Sequence, residues 1–158
     1  QQEVNGISYS RDEAKITLRS VADRPGIAAG IFGPLADADI NVDMIVQNVS
    51  ENGITTDLTF TVTRRDLEKT VCVLEKYQTE IGIGELAADE NVAKISVIGV
   101  GMRSHAGIAQ KMFLALAEKG INIQVISTSE IKISVLVDEE YTELAVRALH
   151  TAYGLDDD

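Results

Sequence analysis

The chain of 158 residues is 45% hydrophobic and 25% charged, the make-up of a globular fold rather than of a disordered or fibrous one. A net charge of −11 argues against nucleic acid and anionic membranes as partners, because both demand clustered Lys and Arg. No stretch reaches membrane-span length, no secretory leader is visible, and a lone cysteine excludes a disulfide framework, so the expected location is cytoplasmic.

Taken in chain order, Val4 to Ser10 reads as a strand outside any complete unit. Lys15 to Ser20 alternates, with Ile16 and Leu18 on one face. Pro25-Gly26 opens a helix, with Pro25 at the first helical position and Ile27, Ile31 and Leu35 as the inner stripe. Gly33-Pro34 predicts an interruption and a kink, because Pro34 cannot donate to Gly30. Val42, Met44 and Val46 line the next strand, Asn52-Gly53 supplies a hairpin turn, and Leu58, Phe60 and Val62 line the returning strand. Asp66 is placed to cap a second helix with Leu67, Val71 and Leu74 inward and Cys72 on the apolar side. A weak strand follows at 83–87.

The same order then recurs. Ala14-Lys15-Ile16-Thr17-Leu18 returns as Ala93-Lys94-Ile95-Ser96-Val97, Gly26-Ile27-Ala28 as Gly107-Ile108-Ala109, and Ile40-Asn41-Val42 as Ile121-Asn122-Ile123. Leu58-Thr59-Phe60 returns as Ile133-Ser134-Val135. The second copy's helix carries Ile108, Met112 and Leu116 and stops at Gly120. A strand of Ile121, Ile123 and Val125, a turn at Ser129-Glu130, a strand of Ile131 to Val137, and a helix with Ala145, Leu149 and Tyr153 inward complete it. The tail, Asp156 to Asp158, is read as solvated.

The second copy lacks a fourth strand, and the orphan strand at 4–10 is the economical substitute. The expected fold is α+β: two ferredoxin-like βαββαβ domains with antiparallel sheets and helices on one face. Domain one, 11–89, is nested within domain two, 1–10 plus 90–158. Domains this small should lean on each other or on a partner chain.

No catalytic constellation emerges. Gly99-Val100-Gly101 lacks the third glycine of a dinucleotide loop, since Ser104 holds its place. His105 and His150 are distant in sequence, and with Cys72 placed inward no metal site and no cofactor is expected. His150 reads as an ordinary helix-surface residue.

Asp23-Arg24-Pro25-Gly26, Asn41-Val42-Asp43-Met44 and Gln47-Asn48-Val49-Ser50 resemble ACT domains, small amino-acid-sensing modules of metabolic enzymes. Gly99 to His105 and Ile126-Ser127-Thr128-Ser129-Glu130-Ile131 resemble the regulatory region of aspartate kinase, nearest to the tandem-ACT β subunit of enzymes built from α and β subunits. The resemblance implies feedback control of aspartate phosphorylation on the way to lysine, threonine, methionine and isoleucine. It implies threonine or lysine as effectors, a homodimer through the ACT domains, and a catalytic α subunit in an α2β2-type assembly. Gln1 in place of a starting Met fits either a subunit or a cut from a longer kinase chain.

An amino acid needs a carboxylate seat, acceptors for its ammonium, and a side-chain pocket; amides at a helix start supply the first. By resemblance, the first site takes Asp23, Arg24, Pro25, Gly26, Ile27, Ala28 and Gln47, with Asn122, Ile123 and Gln124 from a neighbouring ACT domain. The second takes Met102, Ser104, His105, Ala106, Gly107, Ile108, Thr128 and Glu130, with Asn41 and Val42 from a neighbour. Residue chemistry alone favours a plainer reading, with Asp23 a helix cap, Pro25-Gly26 a turn, and Glu130 a charged hairpin residue. The resemblance reverses it. The alternatives are an assembly module that senses nothing and a sensor attached to another biosynthetic enzyme.

Overall fold

The computed structural model describes residues 4–49, 51, 53–99 and 105–155, with His105 described through its backbone alone. Asn52 of the expected hairpin, Met102, Ser104 and the acidic tail lie outside the described residues. The elements are β1 (Gly6–Ala22), α1 (Ile27–Asp37), β2 (Asp43–Val49), β3 (Thr55–Val62), α2 (Leu67–Ile81), β4 (Glu85–Ile98), α3 (His105–Glu118), β5 (Val125–Thr128), β6 (Lys132–Asp138) and α4 (Thr142–Ala152).

The chain divides into two compact units, one of residues 12–90 and one built from 1–11 and 91–158. The divisions fall inside β1 and inside β4, not in loops. The strands expected at 4–10 and 15–20 are therefore one continuous strand. The weak strand at 83–87 likewise runs on into the strand of Ile95 and Val97. Neither run contains a Gly or Pro after its first residue, so nothing local breaks the extended backbone.

In the unit of residues 12–90 the strand order is β2-β3-β1-β4. β1 pairs antiparallel with β3 from Ala14↔Val62 to Leu18↔Leu58, and the register then shifts before Val21↔Thr56. The shift reconciles the apolar pattern with the pleat. Strict alternation after Ala14, Ile16 and Leu18 would turn Ser20 inward; the bulge turns Val21 inward instead, and it is fully buried. Ser20 takes φ 55 there. Gly84 is required beside it, because an added Cβ would lie 2.8 Å from the Ser20 Cβ. The helices supply Ile27, Ile31, Leu35, Leu74 and Ile81 to a core shared with Ile16, Leu18 and Phe60. Phe32 meets Phe60 edge to face, with centroids 5.1 Å apart.

In the other unit the order is β1-β4-β6-β5. Val4 is buried in its core with Ile95, Val97 and Met112, Ile7 packs against that core, and the Asn5 amide donates to the Ile98 carbonyl at 2.6 Å. β4 pairs with β6 from Ala93↔Val137 to Val97↔Ile133. These pairs repeat Ala14↔Val62 and Leu18↔Leu58, so the two units share one register. They differ on the opposite sheet face. There Ser96 and Ser134 are buried with their hydroxyls 2.7 Å apart, where the first unit has half-buried Thr17 and Thr59.

Several expectations are corrected. Pro25 lies in the turn before α1, which starts at Ile27 with Gly26 at its cap. α1 runs unbroken through Pro34; the carbonyl that Pro34 leaves unbonded belongs to exposed Gly30, where water can satisfy it. Asp66 stands at the cap position of α2 but makes no side-chain cap bond, and its carbonyl instead accepts from the Thr70 hydroxyl at 2.7 Å. Cys72 is exposed, because α2 turns Thr70 and Leu74 inward instead. β5 begins only at Val125, since the Ile121 amide is used to close α3 on the Leu116 carbonyl at 3.0 Å. Ile131 precedes β6 and is half exposed.

Candidate functional site

The turn between β1 and α1 is built by residue chemistry. Pro25 fixes its own φ, and Gly26 adopts φ 87 and ψ −2, a left-handed conformation costly for any residue with a Cβ. The turn closes through the Ile27 amide on the Arg24 carbonyl at 3.1 Å. No side chain caps α1, so Asp23 is not the helix cap that the plainer reading required. The first-turn amides of Ala28 and Ala29 lie on exposed residues with no side-chain acceptor supplied, an arrangement suited to an anion.

Asp23 is exposed, and its amide donates to the Ile54 carbonyl at 2.9 Å, which docks the turn on the β2–β3 hairpin. Gln47 belongs to the same end of the sheet. Its Nε2 donates to the Thr56 hydroxyl at 3.2 Å, and Thr56 lies in register with both Val21 and Val49. The Thr56 hydroxyl in turn donates to the Asn48 carbonyl at 3.2 Å. The fold thus brings a carboxylate, an oriented amide and a helix start to one sheet end. Arg24 departs from this group: its guanidinium donates to the Ile81 carbonyl at the end of α2, 3.1 Å away.

In the other unit Ala106 and Gly107 are exposed at the start of α3 and Ile108 is buried. Thr128 ends β5 opposite Ile133, the register that Gln47 holds opposite Leu58. Glu130 is exposed in the turn closed by the Ser129 amide on the Lys132 carbonyl at 2.8 Å. The Tyr153 hydroxyl donates to the Ile108 carbonyl at 2.5 Å and so ties α4 to the first turn of α3. Burial pushes the Tyr153 phenol up to about 12, with a backbone hydrogen bond at Met112 acting the other way.

Of the residues assigned to a neighbour, Asn122 is exposed and Ile123 packs partly into its own core. Gln124 donates from Nε2 to Asp138 at 2.8 Å. Asn41 is exposed, and Val42 packs against the core of its own unit. Thr56, Ile54 and Ile81 went unrecognised in the sequence. Two of them act through backbone carbonyls, which no residue type announces, and Thr56 resembles any other strand threonine. Among the described residues no cluster of three His, Cys, Asp or Glu side chains is placed to hold a metal, and no helix is long and apolar enough to cross a membrane.

Two ACT domain family models match the chain, one over residues 16–77 and one over 95–153. The matched segments coincide with the two copies of the shared register, so the class is a tandem of ACT domains. An aspartate kinase of Stutzerimonas stutzeri is 57% identical over 97% of this chain and 37% of its own length. A Pseudomonas putida aspartate kinase is 58% identical with the same coverage. The regulatory subunit of aspartate kinase from Thermus thermophilus, solved ligand-free, superposes with a TM-score of 0.90 at 40% identity, covering 96% of this chain and 99% of that one. A crystal structure of aspartokinase α and β subunits gives a TM-score of 0.89 at 52% identity, with the same coverage. The chain belongs to the aspartate kinase family, as its regulatory ACT-domain region. It spans 37% of the length of the curated relatives it matches.

Proposed function

We propose that this chain senses L-threonine, L-lysine or both and restrains an aspartate kinase catalytic part, inhibiting phosphorylation of the aspartate side-chain carboxylate. The observation that carries the reading is the uncapped start of α1 beside Asp23 and the oriented Gln47 amide. The effector's carboxylate takes the amides of Ala28 and Ala29, its ammonium takes Asp23, and its hydroxyl or side-chain amine meets Gln47. The second site repeats this plan with 102–108, Thr128 and Glu130. A neighbouring chain completes each site, through Asn122, Ile123 and Gln124 for the first and Asn41 and Val42 for the second. Its functional domains are 11–89 and 1–10 with 90–158, in a cytoplasmic homodimer joined to catalytic α subunits, without a cofactor.

Shared sites couple ligand occupancy to chain pairing, and feedback requires the effector to prefer the inhibited arrangement by about 1–3 kcal/mol. The test is calorimetric titration with L-threonine and L-lysine beside L-methionine and D-threonine. Absence of binding by both L-effectors at millimolar levels defeats the reading. A second reading, assembly without sensing, draws on the exposed Ile45 and Val49 of edge strand β2. Under it, Asp23→Ala and Gln47→Ala leave inhibition of the kinase unchanged.

A further inference from the structure

We infer that Arg24 is a positioning residue for the first effector site, acting through the end of α2 and not through the ligand. The inference rests on the effector reading of that site. The turn from Asp23 to Gly26 is stiff within itself, because Pro25 and Gly26 are both confined and the Ile27 amide closes it on Arg24. What the turn lacks internally is a fixed orientation on the sheet. Two bonds from it supply that: the Asp23 amide on the Ile54 carbonyl at 2.9 Å, and the Arg24 guanidinium on the Ile81 carbonyl at 3.1 Å.

The Arg24 bond answers a need of α2 itself. That helix has no basic residue in its last turn, which carries Glu80 instead, so its carbonyl end lacks a compensating cation. Arg24 brings one from another element. Beside it the Ala22 amide donates to the Gly82 carbonyl at 3.1 Å, so consecutive carbonyls leaving α2 hold both sides of the β1 exit. Swinging the turn about Asp23 breaks the Arg24 bond and redirects the Ala28 and Ala29 amides, which must converge on one carboxylate within hydrogen-bond reach.

The test compares wild type, Arg24→Ala and Arg24→Lys in the full natural protein. Ligand-free hydrogen exchange is followed by mass spectrometry over residues 20–28, with 57–62 of β3 as the internal control, and Kd is measured for L-threonine and L-lysine. Expected for Arg24→Ala is faster exchange in 20–28 alone, with Kd for the first-site effector raised roughly three- to tenfold. Arg24→Lys, which keeps a donor for the same carbonyl, restores most of both. Weaker binding with unchanged exchange means that Arg24 touches the ligand, and overturns the inference. Faster exchange with unchanged Kd, or acceleration that extends through 57–62, overturns it as well. Wild type that binds neither amino acid defeats the effector reading itself, and this role with it; the wild-type titration alone identifies that case.

Discussion

The Ser20 amide donates to the Asp57 carboxylate at 2.9 Å, and this bond holds the β1 bulge that turns Val21 into the core just before the Asp23–Gly26 turn. Ser20 adopts φ 55 there and leaves no room across from it. A Cβ added at Gly84 would stand 2.8 Å from the Ser20 Cβ, 3.1 Å from the Arg19 carbonyl oxygen and 3.2 Å from that of Ser20. Gly84→Ala should therefore cost about 1–3 kcal/mol in urea unfolding, the usual range for overpacking. Ser20→Gly should relieve only part of it, because the two carbonyl oxygens remain. A double mutant as stable as wild type refutes this account of the bulge.

Thr56 is buried and bonds the Gln47 side chain on one side and the Asn48 carbonyl on the other. Thr56→Val keeps the shape and removes both bonds. The expected loss of stability is about 1–2 kcal/mol, since each such bond is worth about 1 kcal/mol net. The second consequence is functional: a Gln47 amide freed to rotate should discriminate less between L-threonine and a close analogue lacking the hydroxyl. Competition titrations with L-threonine and L-2-aminobutyrate read this directly, and unchanged discrimination removes Gln47 from the recognition scheme.

Most of the architecture was legible because period and register are written in side chains. Ile16, Leu18, Leu58 and Phe60 announce one buried face, and Ile95, Val97, Ile133 and Val135 announce the same face again. The orphan strand was legible only as a topological debt of the second copy. What escaped was set by tertiary partners. The fusion of neighbouring strands into β1 and β4 leaves no residue signature, because a strand that changes its sheet neighbours does so without Gly or Pro. Cys72 and Leu67 looked inward on a helical wheel, yet α2 is seated by Thr70, Leu74 and Ile81, with Leu67 only partly buried. At the site, Asp23, Gly26 and Gln47 carried a pattern. Thr56 and the carbonyls of Ile54 and Ile81 did not, since any residue can present a carbonyl.

Tyr153 supplies a pH test. Its phenol is pushed up to about 12 by burial, above the ordinary 10.0 expected in the unfolded chain. The sign follows from linkage: the neutral phenol's contribution is fully present below the unfolded value and is lost as pH rises through the folded one. Lys111 faces the ring, with Nζ 5.6 Å from its centroid, a contact that a phenylalanine ring would keep. The informative quantity is therefore the difference between wild type and Tyr153→Phe. At neutral pH the variant should be less stable by about 1 kcal/mol, having lost the bond to the Ile108 carbonyl. Between about pH 10 and 12 that difference should shrink. Denaturant midpoints that run parallel across this range contradict a half-buried, hydrogen-bonded phenol at the start of α3.

α1 carries an avoidable weakness that can be separated from the role proposed for its first turn. Gly30 and Gly33 lie in the helix, both are exposed, and a Cβ at either would meet nothing within 4 Å. Replacing glycine by alanine in an exposed helix gains roughly 0.5–1 kcal/mol per position, mainly by restricting the unfolded chain. Gly30→Ala with Gly33→Ala should then raise the urea midpoint, while Pro34 keeps its local cost. Effector affinity should hold, because the amides of Ala28 and Ala29 precede both positions. A gain in the dilute chain that turns into a loss in the assembled protein would carry a different meaning. It would show that the bare face of α1 is covered by another chain, and that these glycines admit close backbone contact.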